Sequence, residues 1–149
     1  MTLDESAVER IVTAAETVEE SLGVLAEKAS LSRVEYVEDR ESRDVVERRF
    51  VKATEATLDI AETIVVHERG NCPESNPATM RALAEVGVLD ETTAESMAQA
   101  ARFRNVLAHI YGDVIDHDVV YNALGDLERY REFLVAVRAY LDETGALAE

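Results

Sequence analysis

The chain has 149 residues, 31 of them acidic and 15 basic, for a formal net charge of −16, and 47% are hydrophobic. That is too apolar for a disordered acidic tail and too acidic for a protein that holds nucleic acid by general electrostatics, because neutralised phosphates supply most non-specific affinity. Cys72 is the single cysteine, which excludes an internal disulfide, and the N-terminal MTLDESAVERIV carries acids where a signal peptide would carry bases.

No apolar run approaches the roughly 18 residues of a membrane helix, so the expectation is a cytoplasmic protein with no membrane span. Pro73 and Pro77 fall in one short stretch and the glycines are scattered, which predicts a single domain over residues 1–149. The acidity suggests a halophilic source, since at about 1 M salt screening acts over about 3 Å and makes such self-repulsion tolerable. Ordinary acidity is the alternative.

Apolar residues recur at helical spacing almost throughout, without sustained period-2 alternation, which predicts an all-α protein. A Thr2/Glu5 capping box opens a first helix to about Lys28, with Ile11, Ala15, Val18, Leu22 and Leu25 on one face and Glu9, Glu16, Glu19, Glu20 and Glu27 in water. Ser32 and Glu35 form a second box, opening a short helix or turn through Tyr36. From about Glu41 to Glu68 the spacing of Val46, Phe50, Ala53, Thr57, Ile60, Ala61 and Ile64 predicts a long helix stopped at Gly70. Residues 71–76 form a loop, and Asn76-Pro77 reads as an N-cap followed by proline at the first helical position, for a short helix to about Val86 ended by Gly87. Thr92 and Glu95 make a third box, before a helix whose core stripe is read as Met97, Phe103, Val106, Leu107 and Ile110 and which stops near Gly112. A last helix starts around Asp116 and carries Val120, Leu124, Leu127, Leu134 and Leu141 before Gly145. Four major amphipathic helices plus short ones predict an up-and-down helical bundle.

The informative segment is Arg102-Phe103-Arg104-Asn105-Val106-Leu107-Ala108-His109-Ile110-Tyr111-Gly112. Asn105 and His109 are four apart, within reach of each other on one helix face, and the long Arg104 side chain can swing its planar donors to the same space. By themselves, an arginine and a histidine in the last turn of a helix can simply complement the negative end of its dipole. The string F-R-N-x-x-x-H-x-Y followed by an acidic helix start resembles the signature of HepT-like HEPN toxins. The preceding helix, with Glu55-Ala56-Thr57-Leu58-Asp59-Ile60-Ala61-Glu62, also resembles the family's segment, and the layout from about Arg49 to Leu141 follows the family order.

The resemblance implies a metal-independent endoribonuclease toxin without cofactor, with Arg104 and His109 as the catalytic pair and Asn105 in support. Tyr111 would be the residue that a nucleotidyltransferase antitoxin of the MNT type modifies by AMPylation. Because such ribonucleases pair two motifs across a two-fold axis, it also implies a homodimer cutting RNA in a shared cleft. The chemistry fits these roles: histidine transfers protons near neutral pH, while arginine stays charged and can hold two phosphate oxygens. Arg102 is a candidate RNA contact. Asp59, a carboxylate among apolar neighbours, needs a partner, with Arg104, His109 or a core hydroxyl as the options. The alternative reading is a non-cleaving HEPN binding subunit of a nucleotidyltransferase complex. His67 and Cys72 flank the Gly70 turn without further ligands at metal spacing, so no metal site is expected, and His117 reads as a surface residue.

Overall fold

A computed structural model describes residues 3–109 and 116–145, the side chains of Ala108 and His109 excepted. Among the described residues there are seven α-helices and no strand: α1 (Glu5–Lys28), α2 (Arg33–Glu38), α3 (Arg40–Arg69), α4 (Asn76–Glu85), α5 (Glu91–His109), α6 (His117–Ala123) and α7 (Glu128–Glu143). The four long helices are α1, α3, α5 and α7, as the periodicity predicts, and α2, α4 and α6 are short.

Local side-chain chemistry sets the helix ends. Asp4 caps α1, accepting from the Ala7 amide at 2.7 Å, and Thr2 lies outside the described residues. The Ser32/Glu35 capping box is complete in both directions, at 3.1 and 2.8 Å. Gly70 closes α3 in the left-handed region at φ 88°, donating its amide to the Val66 carbonyl at 2.8 Å, a conformation that costs a side-chain-bearing residue more than glycine. Ser75, one residue earlier than expected, caps α4. At α5 Asp90, not Thr92, accepts from the Thr93 amide at 2.7 Å. In each corrected case a carboxylate or hydroxyl one or two residues away from the expected cap makes the hydrogen bond.

The predicted last helix is broken. α6 gives way to a 3₁₀ turn over Leu124–Asp126 and α7 starts afresh, so Leu124 and Leu127 anchor a corner instead of continuing a seam.

Cross-links define the direction of the bundle. Arg10 pairs with Asp59, Arg49 with Glu20 and Lys28 with Ser42, so rising positions of α1 meet falling positions of α3 and the two run antiparallel. Thr54 with Tyr130 and Glu68 with Tyr140 rise together, so α7 runs parallel to α3. Between them lies a core containing Ile11, Val18, Leu25, Phe50, Ile60, Ile64, Met80, Leu83, Met97 and Phe133, all fully buried. Each such large apolar side chain contributes about 1.5–3 kcal/mol by leaving water, so this interior rather than helix propensity holds α5 against α3.

Candidate functional site

The register of α5 places Arg104. Its buried line runs Ala94, Met97, Ala98, Ala101, and the next position at this three–four spacing is Arg104, which is therefore only 21% exposed. The opposite line, Glu95, Gln99, Arg102 and Val106, faces water. Val106, expected in the core, is 50% exposed: small alanines at 94, 98, 100 and 101 let α5 sit close to its neighbours on a face rotated away from Val106. Phe103 does pack inward as expected, edge-on to Phe50 with ring centroids 5.5 Å apart.

Because Arg104 leaves the helix on the packed side, its guanidinium emerges between α5 and α3. There it forms an ion pair with Glu55, and Nη1 donates to Asn105 Oδ1 at 3.2 Å. Its Nε is buried and has no partner among the described residues. Glu55 is half-exposed, so the pair sits at the lip of the packed surface with its carboxylate end in water. A guanidinium fixed in this way presents its planar fork without first paying for ordering. His109 ends α5, five residues after Arg104, with its side chain outside the described residues; Ile110, Tyr111 and Gly112 lie outside them altogether. Arg102 is exposed, and its charge helps hold the Glu95 carboxyl below its ordinary range, after the larger effect of the Arg81 hydrogen bond.

A groove of about 340 Å³ adjoins this pair. Val51 of α3 and Leu107 of α5 form its apolar part, and the charged side chains of Asp44, Glu47, Arg48, Lys52 and Glu55 surround it.

Asp59 does not pair with Arg104. It accepts from Arg10 Nε at 2.8 Å and approaches Nη2 at 2.7 Å, a fork-like contact from α1 that holds the Arg10 guanidinium above its ordinary range. The reason is placement: Asp59 is one turn beyond Glu55 on the rim of α3, where antiparallel α1 supplies the nearest cation. Glu55, passed over in the sequence, is the carboxylate that reaches Arg104.

His117 is not a free surface residue either. It is 29% exposed, and its Nε2 lies 2.8 Å from Arg43 Nη1, which can only donate; Nε2 therefore accepts, and the proton sits on Nδ1, 3.7 Å from Glu47. Burial raises the Glu47 carboxyl above its ordinary range, with His117 opposing the shift. Nearby, Arg33 grips Asp118 with Nε at 2.6 Å and Nη2 at 2.9 Å, and the Tyr121 hydroxyl donates to the Leu31 carbonyl at 2.8 Å, so the start of α6 is fastened to α2 and α3. Cys72 Sγ donates to the Glu62 carbonyl at 3.6 Å, and no cluster of three metal-ligating side chains occurs among the described residues.

No curated protein matches the sequence significantly. Solved structures do share the fold. A tri-AMPylated Shewanella oneidensis HEPN toxin in complex with its MNT antitoxin matches at a TM-score of 0.78 and 18% identity, covering 92% of this chain and 99% of that one. A mutant MntA-HpeT toxin-antitoxin complex matches at 0.78 and 19%, over 88% and 98%. A toxin-antitoxin structure with AMP-PNP matches at 0.80 and 18%, over the same shares. None of the described helices is long and apolar enough to cross a membrane. The family model for HepT-like ribonucleases matches residues 9–137, nearly the whole bundle including Glu55, Arg104 and His109, and the chain belongs to that family.

Proposed function

We propose that this chain is a metal-independent endoribonuclease toxin, restrained by a nucleotidyltransferase antitoxin that AMPylates Tyr111. The observation that carries the reading is Arg104: a half-buried guanidinium held by Glu55 and Asn105, on the same helix as His109 and five residues before it. In this reading a base removes the proton of the RNA 2′-hydroxyl, whose oxygen attacks the adjacent phosphorus. The bond from phosphorus to the 5′-oxygen breaks, and that leaving oxygen takes a proton from an acid. His109 serves as proton carrier, Arg104 binds the phosphate oxygens as negative charge gathers on them, and Asn105 keeps the Arg104 fork aligned. One chain offers one such set, so a homodimer with two sets in a shared cleft supplies both the base and the acid.

Acidity does not bar this reading, because the RNA contact is local, through the Arg104 fork. An adenylyl group on Tyr111 adds negative charge and bulk two residues from His109, opposing phosphate by repulsion and occlusion.

Two experiments test it. Purified protein cleaves RNA in the presence of EDTA, and the Arg104→Ala and His109→Ala variants do not; cleavage that survives both substitutions refutes these catalytic roles. Antitoxin with ATP silences the native protein but not Tyr111→Phe. Native protein that binds the antitoxin and leaves RNA intact is instead a non-cleaving binding subunit.

A further inference from the structure

Seven of the 15 cations form an ion pair with a carboxylate: Arg10, Arg33, Arg49, Arg69, Arg81, Arg104 and Arg131. With acids in twofold excess such pairing is what proximity alone favours, and what distinguishes the other eight is where they stand. Lys28, Arg43 and Arg129 are engaged by Ser42, His117 and the Ser96 carbonyl, and Arg102 acts on Glu95. The remaining four, Arg40, Arg48, Lys52 and Arg138, are exposed and have no hydrogen bond or ion pair among the described residues, and of these Arg48 and Lys52 are the two on the groove beside the Arg104–Glu55 pair.

Their spacing is also suggestive. Arg48, Lys52 and Glu55 follow one another at four and three residues, so they share one face of α3 and span about 10 Å along its axis at 1.5 Å per residue. Arg104 is bound to the last of them. Two cations therefore lie in file along the groove with Arg104 at its Glu55 end, and Val51 with Leu107 gives it an apolar wall against which a base or ribose can rest.

We propose that this groove is the path of the RNA strand next to the scissile phosphate, with Lys52 and Arg48 contacting successive phosphodiesters of single-stranded RNA. The inference rests on the ribonuclease function proposed for Arg104 and His109, and adds the residues that carry substrate away from the cut. It also resolves how a chain of charge −16 binds RNA: Asp44 and Glu47 on the same groove confine favourable potential to this file, so affinity comes from few contacts. Each contact releases condensed counterions, giving a slope of log affinity against log salt of about −0.7 per phosphate for single strands.

The test uses a labelled single-stranded RNA and the full-length His109→Ala protein, with binding measured across a KCl series. Adding Arg48→Gln and Lys52→Gln together flattens the slope by about 1.4 and weakens binding about 25-fold near 0.1 M KCl, if both contacts are lost. Asp44→Asn strengthens binding. A control double substitution on α7, Arg131→Gln with Arg138→Gln, removes the same charge and leaves the slope unchanged. Thermal melting confirms that each variant is folded. If the protein cleaves RNA but the Arg48/Lys52 pair leaves the slope unchanged, the path is wrong and the ribonuclease reading stands. Loss of antitoxin binding with an unaltered RNA slope likewise overturns it, assigning the groove to a protein partner. Native protein that neither binds nor cleaves RNA overturns both.

Discussion

Replacing Glu55 by alanine separates positioning from stability. The carboxylate is 49% exposed and Arg104 21%, so the pair is screened at one end and contributes about 0.2–1 kcal/mol to folding. For a chain of this size that corresponds to a fall in melting temperature of no more than about 4 °C. Catalysis is more sensitive, because without Glu55 the guanidinium keeps only the Asn105 oxygen at 3.2 Å and its fork is free to turn. A displacement of about 1 Å in a catalytic group can cost 100-fold, so kcat falls by about 10- to 100-fold. KM does not rise, since removing a carboxylate from beside the phosphate relieves repulsion. The assay is single-turnover cleavage of a short RNA over a range of enzyme concentrations, with Glu55→Ala, Arg104→Ala and the double variant. If Glu55 acts through Arg104, the double variant is no slower than Arg104→Ala alone. Undiminished kcat in Glu55→Ala, or additive losses in the double variant, refutes the positioning role.

Arg104→Lys keeps the charge but loses the planar fork, so its cleavage rate in the same assay falls nearly as far as that of Arg104→Ala. Thr54 and Tyr130 exchange a hydroxyl hydrogen bond at 2.8 Å in the fully buried core; Tyr130→Phe strands the Thr54 hydroxyl and costs about 1–3 kcal/mol in urea unfolding, while adding Thr54→Val recovers part of that loss. Hydrogen bonds from the amides and hydroxyls of Ser32, Ser42 and Thr93 hold Glu35, Asp39 and Asp90 below their ordinary carboxyl range. These groups favour the folded state above their unfolded pKa values, and that contribution is lost as pH falls through the lower folded values, so Asp90→Asn, which keeps the capping oxygen, gives a shallower acid limb in a plot of stability against pH. A KCl series raises the melting temperature as screening relieves the acidic surface; a temperature independent of salt removes that reading.

The all-α class and four of the helix positions are legible because an amphipathic stripe reports burial wherever one face is wholly apolar, as in α1 and α3. Legibility fails where two faces compete. In α5 both Phe103, Val106, Leu107 and Ala94, Met97, Ala98, Ala101 are apolar at helical spacing, and the larger residues suggest the stripe. Close approach of α5 to α3 and α4 favours the smaller ones, so Val106 is turned to water and Arg104 is drawn into the packed surface. The break between α6 and α7 is masked for a similar reason: Leu124 and Leu127 fit a continuous seam and a packed corner equally well. Choosing Asp59 over Glu55 fails on different grounds. Both lie on the rim of α3 one turn apart, and only the offsets of α1 and α5 against that helix decide which carboxylate meets Arg10 and which meets Arg104.

That offset also sets the chemistry of the motif. In water an arginine and a glutamate at this spacing would be two solvated side chains; in the folded chain the alanine-rich face of α5 brings the guanidinium to α3 with its Nε buried. Glu55 on Nη2 and Asn105 on Nη1 therefore hold the fork in place, although the pair, half-exposed at its Glu55 end, adds little to stability. In the proposed function a phosphodiester meets the fork beside Glu55, and its two non-bridging oxygens can accept from two nitrogens at once. On that proposal Arg104 is oriented by Glu55 and Asn105 before the phosphodiester arrives, which is why Glu55→Ala lowers the rate of cleavage and not the affinity for RNA.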